Sequence, residues 1–140
     1  MDIIPLSADM QIQLHDACER HGVPLPLALA MIQKESEFNP KAKYQRCYGL
    51  FQIHEINYKW LRANGIEPTA YPGNIDAGVM MIGGLLDKYG DTHKVLMAYN
   101  CGEAGAKKSW KRGTYITKYS REVVEYAQQW EEKLSGGETR

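Results

Sequence analysis

The chain has 140 residues, 44% apolar and 24% charged, with 17 basic residues balancing 17 acidic ones. This is enough for one domain with a real core and too little for two ordinary ones. Balanced charge, no basic block and no long apolar run exclude electrostatic capture of nucleic acid and a membrane span.

The N-terminus, Met1-Asp2-Ile3-Ile4-Pro5, lacks the basic region and long apolar stretch of a secretory signal. The expectation is a chain not exported by that route, or a domain cut from a longer protein. Ser7 is placed to cap a first helix that runs to His21 and ends at Gly22. His15, Cys18 and His21 lie along it, but the ends of that set are nearly two turns apart. No metal site is expected there, and no cofactor. Cys18, Cys47 and Cys101 are odd in number and widely spaced, so no disulfide framework is readable. Free thiols are expected, with a Cys47–Cys101 bridge as the alternative.

Pro24 and Pro26 suit the start of a second helix, and Asn39-Pro40 is its expected stop. Leu27, Ala28, Met31, Ile32, Glu35 and Phe38 fall on one face of it. Glu37 sits about 200° further round than Glu35 and points elsewhere. A carboxylate on an apolar face is costly unless it is paired, protonated or used. Glu35 also lies in the last turn, near the negative end of the helix dipole. Desolvation and dipole both disfavour its charged form, so its pKa is expected to rise. Such a carboxylic acid can donate a proton near neutral pH.

Residues 41–53 read as irregular or short extended chain, without convincing strand pairing. A short helix is expected near 54–63, stopped by Asn64-Gly65. His54-Glu55 begins like a zinc-protease motif but lacks the second histidine. Pro68–Gly73 reads as a loop. Asn74 is expected to cap a strong helix carrying Ile75, Val79, Ile82, Leu86 and Tyr89. A short helix follows over Lys94–Asn100, then a turn at Cys101–Gly105. The last helix is expected over 117–134, and residues 135–140 as a polar, mobile tail. The fold class is all-α or nearly all-α: one domain over 1–134, about six helices, with an irregular or short β segment near 41–53.

Several segments together carry a resemblance. Glu35-Ser36-Glu37-Phe38-Asn39-Pro40-Lys41-Ala42 matches E-S-x-F-N-P-x-A. Gly49-Leu50-Phe51-Gln52-Ile53 matches G-L-M-Q-I. Asn74-Ile75-Asp76-Ala77-Gly78 is followed by Leu85-Leu86-Asp87-Lys88-Tyr89-Gly90. Ala98-Tyr99-Asn100-Cys101-Gly102 matches A-Y-N-x-G, and Tyr119-Ser120-Arg121-Glu122-Val123 is a weaker match to Y-V-x-x-V. In this order and spacing the chain resembles the catalytic domain of the soluble lytic transglycosylases, within the goose-type lysozyme superfamily, which implies that the domain over 1–134 is lysozyme-like. Phe51 stands for the usual methionine, Cys101 for alanine and Ser120 for valine. The acidic-threonine element before the tyrosine is not matched in Tyr115-Ile116-Thr117-Lys118.

The resemblance implies a peptidoglycan-cleaving enzyme acting on the β-1,4 bond between N-acetylmuramic acid and N-acetylglucosamine. It implies a single catalytic carboxylate, Glu35, and a 1,6-anhydromuramoyl product. Glu37, Glu55, Asp76 and Glu103 are the possible second carboxylates, and none is compelling. Asp76 has a sufficient reason in its predicted helix-first-turn position. Substrate-binding candidates are Ser36, Gln52, Tyr99, Asn100 and Tyr119, with contact to Glu35 or its positioning as the alternative role for Ser36, Tyr99, Asn100 and Tyr119. Each has a plain reading too: Ser36 bonding its own helix, Gln52 satisfying backbone, Tyr99 and Asn100 as core packing and a helix end, Tyr119 as part of an apolar stripe. Tyr44, Tyr48, Tyr71 and Tyr115, in predicted loops, are candidates for stacking on sugar rings. The alternatives are a hydrolytic muramidase and a catalytically dead glycan-binding or structural module. The expected partner is the glycan strand of peptidoglycan, met by a monomer at the cell wall. A phage-encoded or virion-associated protein, or a domain of a longer exported one, fits that setting.

Overall fold

A computed structural model describes residues 3–136. The elements are α1 (Ala8–His21), α2 (Leu25–Ser36), β1 (Lys43–Tyr44), β2 (Cys47–Tyr48) and β3 (Ile53–His54). They continue with a one-turn 3-10 helix (Glu55–Asn57), α3 (Tyr58–Ala63), α4 (Tyr71–Tyr89), α5 (Thr92–Lys111) and α6 (Lys118–Gly136). Among the described residues the fold is nearly all-α, with six α-helices as the sequence predicts, and it carries one small sheet.

α1 begins and ends where its caps dictate. Ser7 Oγ accepts from the Met10 N–H at 3.2 Å, and Gly22 closes the helix in the left-handed conformation at φ 68°. α2 departs from its predicted single apolar stripe. Ala28, Leu29, Ala30, Met31 and Ile32 are all fully buried. A helix that is apolar all round goes to the centre of a fold, and α2 lies there, against α1 and α6. Trp130 of α6 anchors that packing. Its indole N–H donates to Gln33 Oε1 at 2.8 Å, and the Phe38 ring meets it edge-on at 5.7 Å. α2 ends at Ser36, before the predicted Asn39-Pro40 stop. Glu37 and Phe38 both take left-handed backbone, φ 51° and 64°, and turn the chain before proline can act.

Segment 41–53 is the largest correction. Its strands do pair, in an antiparallel three-stranded sheet with Lys43 opposite Tyr48 and Cys47 opposite His54. Two-residue strands are too short to leave a readable alternation. Tyr44 and Tyr48 are therefore strand residues, and Tyr71 opens α4 instead of lying in a loop. Asn74 does not cap α4, which starts three residues earlier with Pro72 in its first turn. Asn74 is buried inside that turn and fastens the sheet to the helix. Its Oδ1 accepts from the Phe51 N–H at 3.0 Å, and its Nδ2 donates to the carbonyls of Tyr48 (2.8 Å) and Pro68 (3.3 Å). One turn on, Gly78 lets Phe51 lie directly on α4; a Cβ there would stand 2.2 Å from Phe51 Cγ.

Asp76 is likewise not in the first turn of α4. It bonds Arg20 (2.6 Å) and His21 (3.2 Å) at the end of α1. The predicted turn at Cys101–Gly105 is a single-residue kink at Gly102 (φ 80°, ψ 154°), after which α5 resumes and runs to Lys111. The good helix formers Ala104, Ala106, Lys107 and Lys108 sustain it beyond the glycine. α6 starts on a reciprocal cap: the Ser120 N–H donates to Thr117 Oγ1 and the Thr117 N–H to Ser120 Oγ. It continues through Ser135 and Gly136, the first two residues of the predicted tail. Residues 137–140 lie outside the described residues. The cysteines are free thiols, and burial pushes Cys18 up to about 12. Among the described residues, no helix is long and apolar enough to cross a membrane.

Candidate active site

α2 delivers Glu35 from its last turn into a cleft of about 600 Å³. A second lobe of about 560 Å³ adjoins it. Lys34, Glu35, Tyr44 and Gln52 line both, so the two lobes form one groove with Glu35 at the junction. A polymer lying in this groove would pass Glu35 in mid-chain.

Burial raises the Glu35 pKa above the ordinary carboxylate range. The Tyr119 hydroxyl, which donates to Glu35 Oε2, opposes that rise, and Lys34 opposes it more weakly. Lys34 is held elsewhere: its Nζ bonds Glu122 Oε1 at 2.5 Å. The adjacent cation therefore does not neutralise Glu35, and desolvation wins. The phenols of Tyr119 and Tyr99 are both held well above their ordinary range by burial first and by the Glu35 charge second. Both remain neutral donors. Tyr119 stands at the start of α6, beside the Thr117–Ser120 cap that orients that helix end.

The other predicted residues surround Glu35 in differing ways. Gln52 lines both lobes. Its Nε2 donates to the carbonyls of Ala42 and Gly49, each at 3.0 Å. Its Oε1 has no partner among the described residues and can accept from a ligand. The Tyr99 hydroxyl donates to the Phe51 carbonyl at 2.8 Å, which locks the chain next to Gln52. Asn100 is exposed on the cleft wall. Ser36 is buried, and its hydroxyl donates to the Ile32 carbonyl at 3.0 Å, within its own helix. Tyr44 is 70% exposed over the groove, whereas Tyr48 and Tyr71 line a separate cavity.

The candidate second carboxylates disperse. Glu103 is bonded by Lys88 and Tyr89, Asp76 by α1, and Glu55 by Arg46. Glu37 is exposed on the second lobe and is the other carboxylate on the groove among the described residues.

The backbone around Glu35 is also unusual. Glu37, Phe38, Gln45, Arg46 and Gln52 all have φ between 46° and 64°. They are the described non-glycine residues with positive φ, and every one lies between the end of α2 and β3. Such residues cost roughly 1–2 kcal/mol each and gather where function outweighs stability.

The family model described as the transglycosylase SLT domain matches residues 14–123. The chain belongs to that family. The match spans α2, the sheet, the 3-10 helix, α4, α5 and the start of α6, which carry the groove lining except Tyr126. A solved X-ray structure, an inactive glutamate-to-glutamine mutant of the lytic transglycosylase Slt from Pseudomonas aeruginosa, superposes with a TM-score of 0.75 at 18% identity. The superposition covers 89% of this chain and 24% of that one, so this SLT domain spans about a quarter of the solved protein. A search of curated proteins found no match.

Reasoning from sequence missed several walls of the SLT groove. Gln45, Cys47, His54, Asn57 and Met81 all line the Glu35 cleft. The paired segment 43–54 supplies three of them, Gln45, Cys47 and His54, and that pairing left no readable signal. His54 directly follows the Gly49–Ile53 motif. Its position there was the available clue, obscured by comparison with a zinc motif.

Proposed function

We propose that this SLT domain is a monomeric lytic transglycosylase that cleaves the β-1,4 bond between N-acetylmuramic acid and N-acetylglucosamine at the cell wall. The observation that carries this reading is one desolvated carboxyl group at the middle of a continuous groove, with no carboxylate opposite it among those lining the Glu35 cleft.

Glu35 in its protonated form, favoured by its burial, gives its proton to the glycosidic oxygen, and the C1–O bond breaks. The positive charge on C1 is spread by ring oxygen and by the substrate's own acetamido carbonyl. The Glu35 carboxylate, stabilised by the Tyr119 hydroxyl, then takes the proton from the muramoyl 6-hydroxyl. O6 closes onto C1 to give the 1,6-anhydro end. Glu35 finishes protonated, and no water is consumed. A carboxyl group with a raised pKa serves both steps. Gln52 Oε1, Asn100 and Tyr44 hold the glycan, Tyr99 fixes the turn that carries Gln52, and Ser36 supports the end of α2.

Mass spectrometry of digested peptidoglycan tests the product. Fragments with anhydro ends are expected; fragments one water heavier, with reducing ends, would assign a muramidase. Glu35→Gln should lower turnover by about a hundredfold or more without loss of fold. Near-normal turnover in that variant would refute the assignment, and no cleavage by the native protein would leave a binding module.

A further inference from the structure

His54 sits in the Glu35 cleft at the end of β3, with its imidazole half-buried. Its Nδ1 lies 3.0 Å from the Ile56 N–H, as the side-chain cap of the one-turn 3-10 helix. A backbone N–H can only donate, so Nδ1 must be the accepting nitrogen. In the neutral ring that places the proton on Nε2. This Nε2–H has no acceptor among the described residues. The cap therefore does two things: it starts the 3-10 helix, and it fixes which end of the ring can donate. Asn57 reinforces the arrangement by donating from Nδ2 to the His54 carbonyl at 3.3 Å, and it lines the same cleft.

We propose that His54 is a substrate-binding residue, whose Nε2–H donates to a neutral oxygen of the bound glycan, an acetamido carbonyl or a ring hydroxyl. This rests on the reading of the groove as a glycan site. It adds a specificity contact on the wall formed by the sheet. Gln52 offers an acceptor on that wall and His54 a donor, a complementary pair for an amide-bearing sugar. A polymer lacking neutral acceptors there would lose the contact, because an unpaired buried donor opposes binding.

His54→Ser separates the two duties of the residue. Serine caps well through its hydroxyl, and it cannot reach a ligand where Nε2 stands. His54→Ala removes both cap and donor. Steady-state cleavage of purified peptidoglycan and thermal melting would be measured for the native protein and both variants. For His54→Ser, KM should rise about five- to tenfold with kcat nearly unchanged and an unchanged melting midpoint. His54→Ala should show the same rise in KM together with a lower midpoint. Unchanged KM in His54→Ser overturns the proposal while leaving the glycosidase reading intact. A fall in kcat that tracks the midpoint in both variants also overturns it, assigning His54 a structural role. If the native protein does not cleave peptidoglycan, the functional reading fails, and this proposal with it.

Discussion

At Glu35, two opposing effects meet on one carboxyl group. Burial disfavours the anion, and the Tyr119 hydroxyl favours it; burial is the larger, so the proton is held more tightly than in an unfolded chain. The consequence for stability follows from linkage. A carboxyl group whose folded pKa is raised stabilises the fold at low pH, below its unfolded pKa. That contribution is lost as pH rises through the folded pKa, where a desolvated anion must be tolerated. Glutamine is nearly isosteric, can accept from Tyr119, and does not ionise. Glu35→Gln should therefore melt a few degrees above the native protein in alkaline buffer, with the gap closing in acid. Melting curves at several pH values check this; a gap that is constant with pH would show that ionisation of Glu35 is not the cause. At the same scale, Ser36 is legible as a motif residue, yet its hydroxyl is spent on Ile32. Identity in a motif fixes position on the chain, and hydrogen bonding decides what the atom is free to do.

Among elements, the contact between sheet and α4 carries the site. Gln52 is held by the carbonyls of Ala42 and Gly49, Phe51 is bonded by Asn74 and Tyr99, and the Phe51 ring lies on Gly78. An added methyl at Gly78 has no space, because the ring it meets is fully buried and bonded through its own backbone on both sides. Gly78→Ala should cost about 1–3 kcal/mol in chemical denaturation. It should also lower activity at temperatures where the protein stays folded, because Phe51 must move and Gln52 adjoins it. Full activity in a stably folded Gly78→Ala protein would show that the sheet does not depend on this seat. The elements also show where local pattern is a safe guide. α1 and α6 were legible nearly to the residue, since caps and an amphipathic stripe are local signals. α2 was legible as a helix, while its burial on every side was not. Two-residue strands and the one-residue kink at Gly102 fell below what periodicity can register.

For the whole molecule, one hydrophobic core links α1, α2, α4, α5 and α6 with the sheet. The groove lies across that core's surface, between the sheet and the first turns of α6, so its two walls come from segments far apart in the sequence. Shared packing predicts one cooperative transition. Far-ultraviolet dichroism and tryptophan fluorescence should report coincident denaturation curves, with Trp130 sensing the junction of α2 and α6. Separate transitions would mean that the sheet region opens apart from the helices. The balanced formal charge of zero gives no long-range steering. The proposed engagement of a glycan would therefore rest on groove contacts.

The sequence by itself determined the helical class, the caps, the position of Glu35 on a helix face, and the ordered motifs that point to the SLT family. These are properties of near neighbours along the chain, where spacing alone decides which side chains share a face. Only the tertiary structure decided that Asn74 bonds the sheet, that Lys34 is held by Glu122, that Tyr119 meets Glu35 and that His54 shares their cleft. Each of those contacts joins atoms brought together by packing, and desolvation, which gives the Glu35 proton its value, exists only once that packing has excluded water.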